Sequence, residues 1–365
     1  MKILYIQDWF GFGGINRVTS CKENYLVNHG YEIHNLCMDD RHGIISDYKY
    51  DNKIIFHSLF KDDYDKYLKI PLIGRIIRFI KFRFDFIKLI LKIKPNIIVT
   101  VRDYIEPFTV ILFTFNIKRI LEYHCAYLES DISLIGKIKK WFKINIKLRF
   151  YNIVSLTEKD KTKRQLIYKQ KIYSIPNPIY LNPSSAVERE NIVVSLGRYN
   201  YQKGYDLLIP KWIEVKNKFP NWKLEIYGYG EDEFLYRELI KKYDLNNVIS
   251  LLPPVKDVEY ILQKSSIYVM SSRYEGFPLV LGEAMQCGLP CVSVDCPAGP
   301  SEIINNNEDG FVVKELDMDA LIEKVCFLIE NKNIRTQMSQ KASLNIKRYE
   351  MKNVMEMWVN LFNNI

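Results

Sequence analysis

Two glutamates eight positions apart, Glu275 and Glu283, form the sharpest chemical pattern in the sequence. They lie in the segment 271–290, which reads SSRYEGFPLVLGEAMQCGLP and follows an apolar, strand-like run. The pattern predicts a helix that begins after Gly276, with Pro278 in its first turn, where a missing N–H costs little. Because a helix has about 3.6 residues per turn, both carboxylates would lean toward the same side, one at the helix mouth and one roughly two turns deeper.

The expected helix mouth also offers backbone hydrogen-bond donors. The N–H groups of Phe277, Leu279 and Val280 would lack partners in the first turn, and a helix N-terminus carries a partial positive charge. Such a site suits a phosphate or a sugar hydroxyl, and the two carboxylates could hold two hydroxylated parts of one ligand. The simpler alternative is one capping glutamate and one exposed helix glutamate, and a close carboxylate pair could also belong to a glycosidase.

A second candidate site follows another strand-like run. The segment 193–204 reads VVSLGRYNYQKG, so an apolar strand leads into Gly197, Arg198 and Lys203 before the next helix. Cations at the carboxyl end of a parallel strand lie where open α/β sheets bind ligands. Arginine can bind a phosphate through two N–H groups and lysine as a point charge, so this loop predicts a diphosphate site. Two solvated loop cations are the alternative.

Two further strand-like runs end in glycine-containing turns. One turn contains Gly13 and Gly14, and the other is the YGYG sequence that includes Gly228 and Gly230. Glycine lets the backbone approach a ligand closely, although neither turn is a complete G-x-G-x-x-G motif.

Strand-like and helical segments alternate along the whole chain, which predicts α/β structure with parallel sheets. The proline-containing stretch Ile175–Ile179 breaks regular structure and predicts an interdomain linker, and the tail from Asp317 onward is predicted to be mostly helical. Strands are predicted at 2–6, 31–38, 53–59, 96–101, 119–124 and 152–156 in the first half, and at 192–196, 223–227, 248–252, 267–270 and 291–294 in the second.

Taken together, these motifs resemble the family 4 retaining glycosyltransferases of the GT-B fold. In order and spacing the resemblance covers nearly the whole C-terminal half, whereas the N-terminal half matches mainly at its glycine pair and around His124. The residues that carry it are Gly13-Gly14, Gly197-Arg198, Lys203-Gly204, Gly228, Gly230, Glu275-Gly276-Phe277, Glu283-Ala284-Met285, Gly288, Pro290, Asp295–Ile303 and Gly310–Val313.

The resemblance implies two Rossmann-like α/β domains whose parallel sheets face each other across a cleft. Residues 1–178 would form the acceptor-binding domain, and residues 179–348 the domain that binds the nucleotide sugar. A final helix at 349–365 would return toward the first domain.

The resemblance also implies roles for individual residues. Arg198 and Lys203 would hold the donor diphosphate, Glu283 the ribose hydroxyls and Glu275 the transferring sugar. His124 would lie beside that sugar and act in catalysis with Glu275, Arg198 and Lys203; a histidine satisfied at a strand end is the alternative. The other implied contacts to the donor come from Gly13, Gly14, Gly197, Gly228, Pro254, Val255, Gly276, Phe277, Leu279 and Val280. Pro254 and Val255 would cradle the nucleobase, although this chain has LLPP where the family usually has a glycine.

The implied chemistry needs neither a metal nor a resident cofactor. Positioned cations and helix N–H groups can stabilise the charge that develops on a nucleoside diphosphate leaving group. The two D-x-D strings, Asp63–Asp65 and Asp317–Asp319, lie in polar stretches that we predict to be exposed, so no metal site is expected. The seven cysteines are scattered without a C-x-x-C spacing, which favours a reducing cytosol over a disulfide framework or a zinc site.

Positive charge is concentrated in the first half of the chain. Residues 1–180 hold 31 Lys and Arg against 18 Asp and Glu, and the remainder hold 21 against 25. Two apolar segments carry cations at helical steps, which predicts docking on an anionic membrane surface; solvated helix faces are the alternative. No recognition motif supports nucleic acid as a partner. The residues concerned are Arg75, Arg78, Lys81, Asp85, Lys88 and Lys92 in the first segment, and Lys137, Lys140, Lys143 and Lys147 with Trp141 and Phe142 in the second.

The sequence therefore predicts an enzyme that moves a hexose or N-acetylhexosamine from a nucleotide-diphosphate sugar, expected to be a UDP-sugar, with retention at the anomeric carbon. The expected acceptor is a lipid-linked saccharide in bacterial surface-polysaccharide assembly. The expected location is the cytoplasm, peripherally on the inner face of the plasma membrane. The alternatives are a GT-B sugar-nucleotide epimerase or phosphorylase, and a non-catalytic membrane-surface binding module.

Overall fold

The chain divides by its internal contacts into two compact units in a computed structural model. The first unit comprises Met1–Ile175 together with Met355–Ile365, and the second comprises Pro176–Val354. The division falls in the predicted linker, close to the boundary predicted after residue 178. The structure describes residues 1–7, 13–37, 48–59, 73–101, 116–127, 147–181 and 187–365, with the single positions 111, 114, 144 and 183.

The first unit is built on a seven-stranded sheet in which each strand runs parallel to its neighbours. The strand order is β3-β2-β1-β4-β5-β6-β7. The strands are β1 Lys2–Gln7, β2 Glu32–Cys37, β3 Ile55–Ser58, β4 Ile97–Val101, β5 Lys118–Glu122, β6 Asn152–Ser155 and β7 Ile172–Ser174. The helices that the structure describes along residues 1–175 are α1 Gly14–Asn28, α2 Ile73–Ile93, α3 Glu158–Gln165 and the 3₁₀ turn Lys147–Phe150.

Helix α2 joins the core of this unit through one face. Phe86 and Ile90 are fully buried and pack with Leu4 and Ile6 of β1 and Ile98 of β4. Their spacing of four residues is the helical repeat that the sequence predicted for this segment. Among the described residues, no helix is both long enough and apolar enough to cross a bilayer.

The second unit is built on a six-stranded sheet in the order β10-β9-β8-β11-β12-β13, again with every neighbouring pair parallel. The strands are β8 Ile192–Leu196, β9 Lys223–Tyr227, β10 Ile249–Leu252, β11 Ile267–Met270, β12 Cys291–Val294 and β13 Gly310–Val313. Next come the helices of this part of the chain, α4 Tyr205–Lys218, α5 Glu233–Lys242, α6 Val258–Lys264, α7 Leu279–Gln286, α8 Pro300–Ile303, α9 Met318–Glu330 and α10 Lys332–Asn345, with the 3₁₀ turns Tyr201–Lys203 and Ile346–Tyr349. The last helix is α11 Met351–Asn364, most of which belongs to the first unit.

The parallel α/β class predicted from the alternating pattern is confirmed in both units. All eleven predicted strands are present, with ends within two residues of the prediction. The sequence missed β7 and β13, which are three and four residues long and lie at the edges of their sheets. An edge strand has one neighbour and needs only a short apolar run, so its pattern is hard to distinguish from a loop.

Each sheet has a point at which the strand order reverses. In the first unit it lies between β1 and β4, and in the second between β8 and β11. At each of these points the loops that follow the two adjacent strands turn in opposite directions. A crevice opens between them beyond the carboxyl ends of the strands, where doubly wound sheets bind ligands. In the second unit, the loops that leave β8 and β11 are those that carry the two strongest sequence motifs.

Candidate functional site

The two loops at the switch point of the second sheet meet in an ion pair. Lys203, at the end of the 3₁₀ turn after β8, places its Nζ 2.7 Å from Oε1 of Glu275, which follows β11. The Lys203 side chain is largely covered, and Glu275 is 7% exposed. The structure thus brings together two residues that the sequence assigned to different parts of one ligand.

Hydrogen bonds between the two loops hold this pair in place. Gln202 donates from Nε2 to the carbonyl of Tyr274 at 3.0 Å, and its own carbonyl accepts the N–H of Arg273 at 2.8 Å. Ser271 donates its hydroxyl to the carbonyl of Lys203 at 2.9 Å. These bonds fix the backbone on both sides of the ion pair, so the two side chains are positioned before any ligand arrives.

Arg273 forms a second ion pair at this site, which the sequence did not predict. Its guanidinium donates to both carboxylate oxygens of Asp206, in the first turn of α4, at 2.8 and 2.7 Å. It also lies over the ring of Tyr201, with 3.9 Å between the guanidinium carbon and the ring centroid. A bidentate arginine–carboxylate pair is geometrically specific. The sequence places Arg273 two residues before Glu275, which could have marked it as a site residue. Nothing in the sequence identified Asp206 as the partner of Arg273.

Three positions near this site must be glycine because backbone atoms of neighbouring segments leave no room for a side chain. A Cβ added at Gly228 would overlap the carbonyl oxygen of Gly197, and one added at Gly230 would overlap that of Tyr199. Gly204 adopts a left-handed conformation (φ 67°), and a Cβ there would overlap the carbonyl oxygen of Ser271. The sequence predicted that the turn at Gly228 lets the backbone approach a ligand; the close approach observed is to the adjacent loop.

Helix α7 begins at Leu279, not after Gly276 as predicted. Pro278 occupies the N-cap in an extended conformation, and the residue before a proline is disfavoured from helical geometry, so Phe277 stays outside the helix. The N–H groups of Leu279 and Val280 open the helix and, within the described residues, make no hydrogen bond. Two of the three predicted donors, Leu279 and Val280, are therefore present at this helix mouth, although the helix begins two residues later than expected.

Both glutamates are buried, which corrects the alternative of a cap and an exposed helix residue. Glu283 is 1% exposed in the middle of α7, and Glu275 lies four residues before the first residue of that helix. The two carboxylates therefore do not share one helix. A carboxylate taken out of water is costly unless it is compensated, and Lys203 compensates Glu275.

Arg198, Pro254 and Val255 lie at the same edge without joining the ion pair. Arg198 lies two residues after β8, its side chain is 63% exposed, and its Nε lies 3.4 Å from a carboxylate oxygen of Glu231. Pro254 is exposed and Val255 half-buried, two and three residues after β10. In the described structure no hydrogen bond or ion pair connects Arg198 with Lys203 or Glu275.

The predicted residues of the first unit lie at the first turn of α1 and after β5. Gly13 caps α1, which begins at Gly14, and the Gly13 N–H donates to the hydroxyl of Tyr48 at 3.0 Å. The glycine-rich turn before Gly13 lies outside the described residues. His124 is buried two residues after β5, with Nε2 3.2 Å from Oε1 of Glu122.

A second buried carboxyl, Glu23 of α1, lies in the same unit. It accepts hydrogen bonds from Asn35 at 2.6 Å and Gln7 at 3.2 Å. Burial raises the pKa of Glu23 to about 8, although these hydrogen bonds and the charge of Lys22 lower it. Sequence reasoning missed this residue because nothing in its neighbourhood distinguishes it from a surface helix glutamate.

The raised pKa makes the stability of the protein depend on pH. Between the ordinary glutamate pKa of 4.5 and about 8, the unfolded chain loses this proton while the folded chain keeps it. The free energy of unfolding should therefore fall as pH rises through this window. Urea denaturation of the wild type and Glu23→Gln at about pH 5, 6.5 and 8 should show a steeper loss in the wild type.

Glu308→Gln serves as the control for this prediction because Glu308 is exposed. Its profile should run parallel to that of the wild type. A Glu23→Gln profile equally parallel to the wild type would contradict a protonated Glu23 in the folded state.

The sequence predicts that the two D-x-D strings are exposed and that they form no metal site. Asp317 caps α9 by accepting the N–H of Ala320 at 3.0 Å, and Asp319 is exposed and pairs with Lys211. The string Asp63–Asp65 lies outside the described residues. Among the residues that are described, no group of three or more His, Cys, Asp or Glu side chains is arranged to hold a metal ion.

The first basic segment forms helix α2, as its periodicity predicted. Lys81, Lys88 and Lys92 are exposed, and so are three apolar side chains of the same helix, with Phe84 at 68%. The other two exposed apolar residues are Ile80 and Leu91. The side chains of Arg75, Arg78 and Lys147, and the residues Lys137, Lys140, Trp141, Phe142 and Lys143, lie outside what the structure describes.

Comparison with known proteins finds a family match for the second unit and a relative that is similar over nearly the whole chain. Residues 178–344 match the family model described as Glycosyl transferases group 1. An uncharacterized glycosyltransferase of Haemophilus influenzae is 29% identical over 350 residues, which are 95% of this chain and 95% of that protein.

Two further proteins are similar to this chain, one in sequence over about half of its length and one in fold over nearly all of it. A Campylobacter jejuni N-acetylgalactosaminyltransferase, whose name gives a diNAcBac-PP-undecaprenol-linked acceptor, is 28% identical over 48% of this chain and 49% of its own. A Staphylococcus aureus TarM variant, solved with fondaparinux, α-GlcNAc-glycerol and UDP, is 16% identical over 99% of each chain, with a TM-score of 0.77. At that identity the second likeness shows the fold alone, and that fold is the two-domain GT-B architecture predicted from the sequence.

Proposed function

We propose that this chain, whose residues 178–344 match the group 1 glycosyl transferase model, transfers a hexose or N-acetylhexosamine from a UDP-sugar to a saccharide, with retention at the anomeric carbon. One observation carries the proposal: the partly buried Lys203–Glu275 ion pair at the switch point of the second sheet. It sets a cation and a carboxylate side by side where doubly wound sheets bind nucleotides.

Each member of the pair has a part in the proposed reaction. The bond between the anomeric carbon and the diphosphate oxygen breaks, a bond to an acceptor hydroxyl oxygen forms, and the proton of that hydroxyl passes to the departing diphosphate. Negative charge therefore develops on the diphosphate and positive character on the sugar. Lys203 and the N–H groups of Leu279 and Val280 stabilise the first charge, and Glu275 the second. Glu283 binds the ribose hydroxyls. Positioned protein groups supply this stabilisation, so the proposed mechanism needs no metal.

Donor binding is the direct test of this assignment. Purified protein is screened with UDP- and GDP-sugars by thermal shift, and the best donor is assayed for transfer with and without excess EDTA. The anomeric configuration of the product is read by NMR. The proposal predicts release of UDP, a glycoside of unchanged configuration, and activity that survives EDTA. Epimerised UDP-sugar without transfer, or activity restored only by a divalent cation, would contradict it.

Arg198 provides a prediction within this test, because its exposed guanidinium is free to turn from Glu231 toward a diphosphate. A hydrogen bond to a charged group contributes roughly 1.5–3 kcal/mol, so Arg198→Ala should weaken UDP binding about tenfold or more in calorimetry. Arg237→Ala is the control, since Arg237 is exposed on α5 and pairs with Glu233 one turn away. Equal UDP affinity in the wild type and Arg198→Ala would remove Arg198 from the site.

The proposed acceptor is a lipid-linked saccharide of bacterial surface-polysaccharide assembly, reached at the inner face of the plasma membrane from the cytoplasm. Two observations support it. The acceptor named for the Campylobacter jejuni relative is attached to undecaprenyl diphosphate. Helix α2 exposes both cations and large apolar side chains, a combination that binds anionic bilayer surfaces.

Liposome binding tests the role of α2. Each basic residue near an anionic surface contributes about 1 kcal/mol, so Lys88→Gln with Lys92→Gln should weaken binding to phosphatidylserine-containing vesicles about tenfold or more. Lys163→Gln with Lys169→Gln removes the same charge from exposed positions elsewhere in this unit and should have a smaller effect. Binding should also weaken with salt. Sedimentation that is equal with neutral and anionic vesicles would contradict this membrane contact.

A further inference from the structure

Arg189 closes the base of the segment that carries both site glutamates. Its guanidinium donates from Nη1 to the carbonyl of Ser265 at 2.7 Å, and from Nη2 to the carbonyls of Cys287 and Gly288, both at 2.9 Å. Ser265 caps the end of α6, two residues before β11, whereas Cys287 and Gly288 directly follow α7. One side chain therefore binds both ends of the strand, loop and helix that span residues 265–288.

The surroundings of this guanidinium fix its position. The next residue along the chain, Glu190, donates its N–H to the carbonyl of Lys264 at 2.7 Å, which anchors the backbone beside α6. Gly288 is held from another side, because Ser339 of α10 donates its hydroxyl to the carbonyl that Arg189 also binds. A Cβ added at Gly288 would lie 3.2 Å from Nη2 of Arg189, so the end of α7 packs closely against the arginine.

The chemistry of arginine suits this place. In the described part of the chain, the Arg189 guanidinium bonds to these three carbonyl oxygens and to no carboxylate. A cation is favourable at a helix C-terminus, and the planar guanidinium offers N–H donors in a fixed fork that can bind two helix ends at once. A lysine ammonium is a compact point charge without that fork. Because Arg189 as a whole is exposed, its replacement leaves no cavity in the core.

The base of this segment determines where the middle of α7 lies. The helix has eight residues, so it is only about 12 Å long. Glu283 lies four residues before Cys287, about 6 Å along the axis from the carbonyls that Arg189 binds. A helix this short moves as one body, so a shift or tilt at its C-terminus displaces the Glu283 carboxylate.

We propose that Arg189 is a positioning residue for glycosyl transfer. By binding the segment at both ends, it holds α7 where Glu283 meets the ribose of the donor. This role rests on the proposed function for its ligand, whereas the contacts of Arg189 are independent of that function. Arg189 itself touches no part of the donor and acts through α7.

The alternative is that Arg189 only stabilises the fold, and a second arginine distinguishes the two roles. Arg335 donates from Nη1 to the carbonyls of Leu328 and Ile329, the latter at 3.1 Å, in the last turn of α9. It binds a helix end of the same unit in the same way, but α9 carries none of the proposed site residues. Arg335→Met is therefore the matched control for Arg189→Met.

The experiment compares stability with UDP affinity in the full chain. Urea denaturation gives the stability of each variant, and calorimetry gives its UDP affinity. Arg189→Met removes the guanidinium, and Arg189→Lys keeps the charge without the fork. Arg189→Met combined with Glu283→Gln tests whether the two residues act together. Hydrogen exchange of the α7 amides reports how firmly the helix is held.

We expect both methionine variants to lower the urea midpoint, but only Arg189→Met to weaken UDP binding, by about fivefold or more. Arg189→Lys should weaken it too, because an ammonium cannot bind both helix ends. In the double variant, the loss should exceed that of Glu283→Gln alone by no more than about twofold, because the ribose contact is already gone. Exchange of the α7 amides should be faster in Arg189→Met than in the wild type and in Arg335→Met.

Three results would overturn the proposal: wild-type UDP affinity in Arg189→Met, an equal loss of affinity in Arg335→Met, or losses that multiply in the double variant. Should Arg189→Met not fold, Arg189→Lys carries the same comparison. If the wild type binds no UDP, the proposed function fails, and the exchange of the α7 amides alone then decides whether Arg189 holds this helix.

Discussion

Glu275→Gln should lower turnover by about 10- to 100-fold while UDP affinity stays within about twofold of the wild type. The carboxylate lies beside Lys203 at the loop after β11, ahead of the opening N–H groups of α7. Its proposed partner is the sugar, which UDP lacks. The contact should matter most as the sugar gains positive character, so its loss appears in kcat more than in binding.

Glu283→Gln should have the opposite signature. This carboxylate is buried in the middle of α7 and is proposed to bind the ribose, which UDP and the UDP-sugar share. Affinity for both should fall together, by about tenfold. The pair of variants is measured by calorimetry with UDP and by steady-state turnover with the best donor. Full turnover in Glu275→Gln, or equal loss of UDP affinity in both, would show that the roles are not divided in this way.

Folding must be measured alongside these variants because both glutamates are buried. Glutamine keeps the size of each side chain, but in Glu275→Gln it leaves Lys203 without its ionised partner. Thermal melting of each variant establishes that the folded state persists. Lys203→Met with Glu275→Gln restores the local charge balance and is the matched control. It should lose UDP affinity through Lys203, which Glu275→Gln alone should not.

Local sequence patterns were sufficient to predict most of the fold. The runs that became β8, β9, β11 and β12 were each placed to the residue. The basic periodicity of α2 predicted a helix for the same reason, since side chains three and four apart share a face. The candidate residues at the carboxyl ends of β8 and β11 follow directly from those strands.

The contacts that define the site depend on distance in space and could not be predicted in this way. Lys203 and Glu275 are 72 residues apart, and only the strand order brings their loops together. Arg273 and Asp206 are 67 residues apart, and no motif pairs them. Helix spacing failed at Phe277 because the following proline fixes the local backbone, an effect that periodicity does not include.

Gly228→Ala should destabilise the second unit by about 3 kcal/mol or more and abolish UDP binding. The added Cβ would overlap the carbonyl oxygen of Gly197, a backbone atom that cannot rotate away. Moving either strand end would break the hydrogen bonds from Gly197 to Tyr227 (3.0 Å) and from Gly228 to Leu252 (2.9 Å). Urea denaturation and calorimetry with UDP measure the two effects.

Gly197→Ala is the matched control because it inserts the same methyl group at the facing loop. There the added Cβ would meet side-chain atoms, Cε of Lys203 at 2.7 Å and the hydroxyl of Tyr205 at 3.0 Å. The lysine end is flexible, so the fold should persist while Lys203 is displaced from Glu275 and UDP affinity falls about tenfold. A stable Gly228→Ala protein that binds UDP would show that this glycine is not required by its neighbouring backbone.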